Sequence, residues 1–271
     1  MKEVIGMKYS VFQMDIIAGN PDANRLKVSQ WLKAEMRENN PDIVVLPEMW
    51  TTAYTLDALE QVADTGGAET KSFLKELALK YQVNIIGGSV ANKKDGKFYN
   101  SSFVFSRSGE LVYEYDKVHL VPMLNEHDFL TGGEKVPEVF ELEGIKMGLI
   151  ICYDLRFPEI IRSMALDGAQ VLHVVAEWPA ARTTHWKILQ TARAIENQMY
   201  VVSANRVGEY DGVAFAGASM AIDPWGDVLY EAGIEDEETI SIALDLEKVN
   251  TVREEVPIFM SRVPHLYKKE I

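Results

Sequence analysis

The sequence predicts an α/β protein in which two mixed β-sheets pack together and helices cover their outer faces. Strand patterns alternate with helix patterns along the chain, which is typical of α/β folds. The strands outnumber the helices too strongly for a simple doubly wound sheet, and two packed sheets account for that imbalance. Since no low-complexity segment, Pro- or Ser-rich linker or internal repeat interrupts the pattern, we expect residues 1–271 to form one domain.

The first half of the chain begins with a predicted strand over residues 8–16. Asn20 and Pro21 follow as an N-cap and a first-turn proline, and they start a helix that reaches about residue 39. Residues 43–47 (IVVLP) are a short, continuous apolar run, which is typical of a strand buried on both faces. Three further elements complete this half: a helix over 68–80, a strand over 83–90, and a hairpin with strands 98–106 and 110–116.

The second half begins with a predicted strand over residues 145–151, which ends at Cys152. Pro158 starts a helix that stops before Gly168. The remaining predicted elements are a strand over 170–176, a helix over 184–198 capped by Thr183 or Thr184, a strand over 200–206, a hairpin around residues 223–226, and a strand over 239–245. The tail over 250–271 has no clear period, and we expect it to pack on a partner subunit if the protein is a dimer.

Composition and charge exclude several classes of function. The chain has 271 residues, of which 47% are hydrophobic, and its 27 Lys and Arg against 41 Asp and Glu give a net charge of -14. A surface this acidic argues against nucleic acid or an anionic membrane as the main partner. One cysteine cannot form an internal disulfide, and neither a signal peptide nor an apolar stretch long enough to span a membrane is evident. We therefore expect a cytoplasmic protein.

Three polar residues follow predicted strands directly: Glu48, Lys117 and Cys152. In α/β folds, ligands gather where strands end, so these side chains are candidates for a single site. A thiol is a weak nucleophile near neutral pH and needs a base or a cation beside it. Glu48 can accept the thiol proton, and Lys117 can stabilise the thiolate and then the oxyanion formed when sulfur attacks a carbonyl. The backbone N–H of Tyr153, at the turn after the strand, is a second candidate oxyanion donor.

Simpler interpretations exist for each of these residues. A lone cysteine at a strand end is often a small buried hydrophobic residue. A Cys-His hydrolase also stays open, because four of the five histidines are candidates for such a pair: His119, His127, His173 and His185. His173 falls inside an apolar strand and is predicted to be a core residue. No HExxH, P-loop or GxGxxG pattern is present, so the sequence predicts neither a metal site nor a nucleotide site.

Three segments resemble the motifs of the nitrilase, or carbon-nitrogen hydrolase, superfamily: LPEMW (46–50), YDKVHL (115–120) and CYDLRFPE (152–159). The resemblance extends over essentially the whole chain. It implies an α-β-β-α sandwich, a homodimer formed through helical faces, and no cofactor. It also implies that Glu48 is the general base, Lys117 the oxyanion stabiliser and Cys152 the nucleophile that forms a thioester. A second glutamate is implied as well, with Glu126 as the best match and Glu134 as the alternative.

The same segments bear on the substrate. CYDLRFPE and TARAIENQ resemble the omega-amidases, which act on 2-oxoglutaramate and 2-oxosuccinamate, and also the deaminated-glutathione amidases. Because such small-molecule amides carry carboxylates, Arg156 is a candidate partner for that group. The resemblance also implies that residues 177–186 line the substrate pocket, with Trp178 as a wall and Arg182 as a second candidate partner. Arg156 can instead form an ion pair with Asp154 or Glu159. An N-carbamoyl amide hydrolase and a catalytically inactive ligand-binding protein remain as alternatives.

Overall fold

The structure is a computed structural model that describes residues 6–267. Its strands are β1 Met7–Gln13, β2 Ile43–Val45, β3 Asp64–Thr65, β4 Asn84–Ile86, β5 Val90–Lys94, β6 Lys97–Phe105, β7 Leu111–Asp116, β8 Phe140–Leu142, β9 Ile145–Ile151, β10 Val171–Ala176, β11 Tyr200–Asn205, β12 Glu209–Tyr210, β13 Val213–Ala214, β14 Met220–Ile222, β15 Val228–Glu231 and β16 Glu238–Leu244. Its α-helices are α1 Pro21–Glu38, α2 Leu59–Val62, α3 Ala68–Tyr81, α4 Glu126–Phe129, α5 Pro158–Leu166, α6 Thr183–Asn197 and α7 Glu247–Glu255. Within residues 6–267, no helix is both long enough and apolar enough to cross a membrane.

Two large sheets form the centre of the molecule, and both are mixed. The first has the strand order β16-β1-β2-β4-β6-β5-β3, with β7 paired to β6. The second has the order β15-β14-β11-β10-β9-β8. Parallel pairs lie in the middle of each sheet, β1/β2/β4 in the first and β9/β10/β11 in the second, and antiparallel pairs flank them. The first sheet has one more parallel pair, β3/β5, at its edge. The prediction of mixed sheets is confirmed.

The layers follow from where the apolar side chains pack. One core cluster joins residues of β1, β2 and β4 to residues of β9, β10 and β11, so the two sheets pack face to face. A second cluster places α1 and α3 against the outer face of the first sheet. The helices α5 and α6 cover the second sheet, and Gly148 of β9 leaves room for Met164 of α5 at close range. The result is the α-β-β-α order that the sequence resemblance implies.

The structure divides the strand predicted over 83–90 into β4 and β5, because a tight turn separates them. Gly88 has a φ of +60°, and a Cβ atom there would lie 2.0 Å from the carbonyl oxygen of Pro47. Only glycine permits both this backbone conformation and this approach. The turn therefore presses against the loop that follows β2, which carries Glu48.

The predicted cap of the helix α6 needs correction, and so does the predicted irregular tail. The cap predicted at Thr183 or Thr184 is wrong: Arg182 holds the N-cap position of α6, with no side-chain cap. The helix continues directly from a 3-10 turn, and the Thr183 hydroxyl donates to the carbonyl of Ala180 in that turn.

Part of the tail, for which the sequence showed no clear period, is α7, and Phe259 beyond it lies against Arg253 of the same chain. Packing of the tail on a partner stays a prediction, and residues 268–271 lie outside the described residues.

His173 is buried between the two sheets, as predicted for a core residue. Its ring nitrogens lie 3.0 Å from the carbonyl oxygen of Gly148 and 3.3 Å from the hydroxyl of Tyr9. Burial lowers the pKa of His173 to about 4, because the charged ring would be desolvated. Between about pH 6.5 and pH 4, His173 therefore carries a proton in the unfolded chain but not in the folded chain.

We expect the free energy of unfolding to fall as pH is lowered from about 6.5 toward 4. The contribution of His173 is roughly 3 kcal/mol, at about 1.4 kcal/mol per unit of pKa shift. In His173→Gln, which keeps an amide donor and acceptor but does not titrate, this part of the acid destabilisation should be absent. Urea unfolding at several pH values measures it, and parallel curves for the two proteins would contradict the assignment.

Candidate active site

The loop after β2 holds Glu48 through contacts with the turn between β4 and β5. The backbone N–H of Ser89 donates to the Pro47 carbonyl at 3.1 Å, and the Ser89 hydroxyl accepts from the Met49 N–H at 3.0 Å. The N–H of Trp50 donates to the Ser89 carbonyl at 3.1 Å. These bonds cross from one strand end to its neighbour, so the carboxylate of Glu48 sits on a braced segment rather than on a free loop.

Glu48 and Lys117 meet in a buried polar network. The ammonium of Lys117 donates to Glu48 Oε1 at 3.0 Å and to Glu126 Oε1 at 2.9 Å. The hydroxyl of Tyr54 lies 2.7 Å from Glu48 Oε1, 2.6 Å from Glu126 Oε1 and 3.0 Å from the Lys117 nitrogen. The second oxygen of Glu48 accepts the backbone N–H of Glu177 at 2.7 Å. Two of the three strand-end residues are thus held together without access to water.

The structure distinguishes the two candidates for the second glutamate. Glu126 begins α4, is fully buried and contacts Lys117; its other oxygen accepts the Val121 N–H at 2.8 Å. Glu134 is exposed and lines a separate groove beside β5 and β7. The side chain beside Lys117 is therefore that of Glu126.

Cys152 lies on a sharp turn between β9 and the 3-10 helix Cys152–Arg156. Its φ is +46° and the residue is 4% exposed. A non-glycine residue in this left-handed region costs on the order of 1–3 kcal/mol, a strain that is often found at functional turns. The N–H of Tyr153 belongs to the first turn of that short helix, where backbone donors have no partner within the helix. The turn has the geometry of a nucleophile elbow.

Asp154 ties this elbow to the loop that carries Lys117. One carboxylate oxygen accepts the Ile151 N–H at 3.1 Å and the Tyr115 hydroxyl at 2.8 Å. The other accepts the His119 N–H at 3.2 Å and lies 2.7 Å from Nδ1 of the same histidine. Since both oxygens are engaged in this way, Asp154 is not the ion-pair partner that the sequence offered for Arg156.

The electrostatics of the site keep the cysteine protonated at rest. Burial raises the pKa of the Cys152 thiol well above its usual range; Glu48 and Glu126 add to the shift, and Lys117 opposes it. Burial tends to lower the pKa of Lys117, but the carboxylates of Glu126 and Glu48 outweigh it and raise that pKa. The expected thiolate stabilised by Lys117 is therefore not the resting state. A base must remove the proton as sulfur attacks.

The groups that shift the pKa of Cys152 most are Glu48, Lys117 and Glu126, and not a histidine. His119 is bound to Asp154 and stacks on Phe157 with ring centroids 3.6 Å apart. His127 is exposed, and His185 lies near Arg156 at 3.5 Å. This arrangement gives no support to a Cys-His pair.

A narrow cleft of about 20 Å³ opens over Cys152 and brings the three predicted substrate-binding residues together. Its walls include Arg156, Trp178 and Arg182. The guanidinium of Arg156 lies 4.7 Å from the centre of the Trp178 ring, and the indole N–H donates to the Arg182 carbonyl at 2.9 Å. Two cationic side chains thus border the cleft that opens over the thiol.

Sequence reasoning missed several residues of the site. Tyr54 and Asn100 both bond Glu48 Oε1, the amide of Asn100 at 2.8 Å. Glu177 is fully buried, pairs with Arg206 at 3.1 Å and lines the cleft. Burial raises the pKa of Glu177 to about 8 in spite of that arginine. Glu177 follows β10 directly, so the same strand-end signal that identified Glu48 could have found it; Tyr54 lies in an irregular loop with no such signal.

The chain is similar to known proteins over most of its length, including all the residues of the site. Residues 8–254 match the carbon-nitrogen hydrolase family. A 2-oxoglutaramate amidase from Bacillus subtilis (strain 168) is 42% identical over 255 residues, which cover 93% of this chain and 97% of that protein. A carbon-nitrogen hydrolase superfamily protein from Xanthomonas campestris, with an arsenic adduct in its active site, superimposes with a TM-score of 0.89 at 27% identity, over 98% of this chain and 99% of that one.

A third relative bears on the cysteine. An amidase from Nesterenkonia sp. AN1, in a mutant that carries acrylamide added to its active-site cysteine, superimposes with a TM-score of 0.80 at 25% identity. The alignment covers 94% of this chain and 99% of that chain.

Proposed function

The chain is an amidase that belongs to the carbon-nitrogen hydrolase family, and we propose that it is an omega-amidase acting on 2-oxoglutaramate or 2-oxosuccinamate. One observation carries the proposal: Glu48 and Lys117 form a buried network next to Cys152, and the cleft above the thiol is bordered by two arginines. The network suits amide hydrolysis, and the arginines suit a substrate with a carboxylate. The similarity to the Bacillus subtilis 2-oxoglutaramate amidase supports the same substrate.

In the first half of the reaction, Glu48 removes the proton from Cys152 while the sulfur attacks the amide carbon. The oxygen of the tetrahedral intermediate is stabilised by the ammonium of Lys117 and the N–H of Tyr153. Glu48 then returns its proton to the amide nitrogen, the C–N bond breaks, and ammonia leaves. The acyl group remains on sulfur as a thioester. A neutral resting thiol requires this coupling of proton removal to attack, because little thiolate exists beforehand.

In the second half, Glu48 activates a water molecule that attacks the thioester carbon. Lys117 and the Tyr153 N–H again bind the oxyanion. The C–S bond breaks, the thiol recovers its proton from Glu48, and the carboxylic acid product leaves. Glu126 and Tyr54 position Lys117 throughout, since both bond its nitrogen. No cofactor enters these steps.

Ammonia release from a small panel of compounds tests the proposal. The panel contains 2-oxoglutaramate, 2-oxosuccinamate, deaminated glutathione, an N-carbamoyl amino acid and a simple nitrile. Turnover of the first two at least tenfold above the others supports an omega-amidase. Preference for deaminated glutathione, measured as release of its 2-oxo acid, or for the carbamoyl compound would assign the enzyme to that substrate instead. No turnover of any compound would favour an inactive ligand-binding protein.

Asp154 should act as a positioning residue for the elbow. In Asp154→Asn, one acceptor oxygen becomes an NH₂ group that faces N–H or O–H donors, so the turn and the Lys117 loop should shift apart. We expect kcat for the best substrate to fall about 100-fold with little change in KM, because a displacement of about 1 Å can cost that much. The exposed Asp167→Asn is the matched control. Equal losses in both variants, or a change in KM alone, would contradict this role.

We also propose that the protein is a homodimer formed through α6. Three large apolar side chains on this side are exposed: Ile188 by 62%, Ile195 by 51% and Trp225 by 43%. Gly226, next to Trp225, lies against Ile195, so the turn between β14 and β15 extends the same surface. An exposed apolar surface of this kind is typical of a protein interface.

Light scattering on a sizing column measures the oligomeric state. Wild type should elute as a dimer, and Ile188→Glu/Ile195→Glu as a monomer, because two buried charges would oppose association. Leu26→Glu is the control, since Leu26 is 59% exposed on α1 at the other helical layer. Dissociation by the control but not by the double variant would place the interface elsewhere.

A further inference from the structure

The carboxyl group of Glu177 has one oxygen with a partner and one without. Oε2 accepts from the guanidinium of Arg206 at 3.1 Å, while Oε1 is buried and has no hydrogen-bond partner among residues 6–267. Glu177 follows β10 directly and belongs to the wall of the cleft over Cys152. Buried polar groups are nearly always paired, because an unpaired one loses its bonds to water without replacement. The free oxygen therefore marks a place for a donor that the described part of the chain does not supply.

Arg206 fixes the direction of that oxygen. Its guanidinium is fully buried and donates to the Val207 carbonyl at 3.0 Å and to the Ile16 carbonyl at 3.2 Å. It also pairs with Asp15 at 3.3 Å, so segments that follow β1 and β11 hold it from two sides. Since Glu177 cannot turn without losing its bond to this fixed guanidinium, its free oxygen keeps one orientation.

The backbone of Glu177 holds the proposed base. Its N–H donates to Glu48 Oε2 at 2.7 Å, so the two glutamates are neighbours at the same end of the cleft. In the proposed mechanism, Glu48 returns a proton to the amide nitrogen as the C–N bond breaks. The nitrogen must therefore lie beside Glu48, where Glu177 is the adjacent residue.

Donors and acceptors identify the group that fits. The amide oxygen of the proposed substrate faces Lys117 and the Tyr153 N–H, and its carboxylate has Arg156 and Arg182 as candidate partners. Its NH₂ group supplies two N–H donors, and these have no assigned acceptor. The cleft has a volume of about 20 Å³, and a group of the size of water needs roughly 10–15 Å³. An NH₂ group is of that size, so it matches both the space and the free oxygen.

We propose that Glu177 is a specificity-determining residue: its free oxygen accepts a hydrogen bond from the NH₂ group of the bound amide. The bond holds the nitrogen beside Glu48 and selects a primary amide over an ester, whose alkoxy oxygen has no hydrogen to donate. This inference rests on the proposed function, because the nucleophile, the base and the oxyanion donors are the same. Since the bond is lost as ammonia leaves, Glu177 acts in the formation of the thioester and not in its hydrolysis.

A comparison of 2-oxoglutaramate with the methyl ester of the same acyl group tests the proposal, with release of the common 2-oxo acid as the readout. In Glu177→Gln, the side-chain oxygen can accept from Arg206, and the new NH₂ group then opposes the NH₂ group of the substrate. We expect the ratio of kcat/KM for the amide to that for the ester to fall about 10–100-fold, the typical cost of an unpaired buried polar group. General damage to the site would lower both rates and cancel in the ratio.

Asp15→Asn is the matched control, because it removes the other carboxylate partner of Arg206 without a change in the cleft wall. Its amide-to-ester ratio should equal that of wild type. An equal fall of the ratio in both variants would show that the position of Arg206, and not the free oxygen of Glu177, determines the selectivity.

The pH dependence of the ratio in wild type is a second test that needs no variant. Burial raises the pKa of Glu177 to about 8; Arg206 and Lys117 oppose the rise, and Glu48 adds to it. The charged carboxylate is the stronger acceptor, and its fraction grows as pH approaches that pKa. The ratio should therefore increase about tenfold from pH 6.5 to pH 8 and then level off, since kcat/KM follows the ionisation of the free enzyme. In Glu177→Gln it should be flat.

The possible failures are distinguishable. An unchanged ratio in Glu177→Gln, or a wild-type ratio that is flat or falls as pH rises, would overturn this inference; turnover of 2-oxoglutaramate would leave the proposed function standing. If Glu177→Gln does not fold, the wild-type pH profile decides alone. Absence of Cys152-dependent turnover of both the amide and the ester would overturn the proposed function and this inference with it.

Discussion

Replacing Cys152 by alanine is expected to lower kcat/KM for the best amide substrate by about 10⁵-fold. Loss of a covalent nucleophile removes the whole two-step route, and losses of this order are typical when such a residue is deleted from a catalytic set. The fold should survive, because the thiol contributes only a small apolar volume at a strand end. Initial rates measured against the panel of amides, together with thermal unfolding of both proteins, provide the test.

Since Cys152 is the only cysteine in the chain, the same variant gives a direct chemical readout. Iodoacetamide should add one label to wild type and none to Cys152→Ala, and substrate should protect the wild-type thiol. Hydroxylamine added during turnover should trap the acyl group as a hydroxamate with wild type only. Retention of more than about 1% of wild-type activity by the alanine variant, with no contaminating enzyme, would exclude the thioester route.

Replacing Glu48 by glutamine has the second-largest expected effect. The amide keeps the size of the side chain and can still accept the Glu177 N–H, but it cannot take the thiol proton. Because each general acid–base step typically contributes about 10²–10⁴-fold, we expect kcat to fall by roughly 10³–10⁴-fold. Alkylation of Cys152 by iodoacetamide should slow as well, since the thiol loses its base.

Glu159→Gln is a suitable control for Glu48→Gln, because Glu159 is an exposed glutamate close to the elbow. Its activity should stay within twofold of wild type. If Glu48→Gln instead raised KM and left kcat intact, Glu48 would be a binding group. If the rate of alkylation were unchanged while turnover was lost, another group would be the base that activates the thiol.

The strand ends were predictable because they follow from local sequence. A short apolar run that stops at a polar residue marks both the element and the site, as at Glu48 and Cys152, and the structure places both in one region. The choice between Glu126 and Glu134 required the fold, since the two differ in burial and not in local pattern. The resting charge of the thiol also depended on a neighbourhood that only folding creates.

The cavity of about 320 Å³ that adjoins the cleft was out of reach of sequence reasoning for a similar reason. Its wall combines Tyr54 with Tyr210 and Asp211, which are about 150 residues apart in the chain and sit in an irregular loop and a hairpin of two-residue strands. Periodicity cannot identify such segments, and no motif marks them. What the sequence predicted well was the chemistry at the strand ends, and what it left out was the shape of the space beside them.

The base and the nucleophile stand on different sheets. Glu48 follows a strand of the first sheet, Cys152 follows a strand of the second, and the N–H of Glu177 from the second sheet holds the carboxylate of the first. Turnover therefore depends on how the two sheets pack against each other. A ligand, a crowding agent or a mild denaturant could let one sheet slide against the other by a fraction of a residue spacing. Activity should then be lost while the secondary structure, measured by circular dichroism, is still intact.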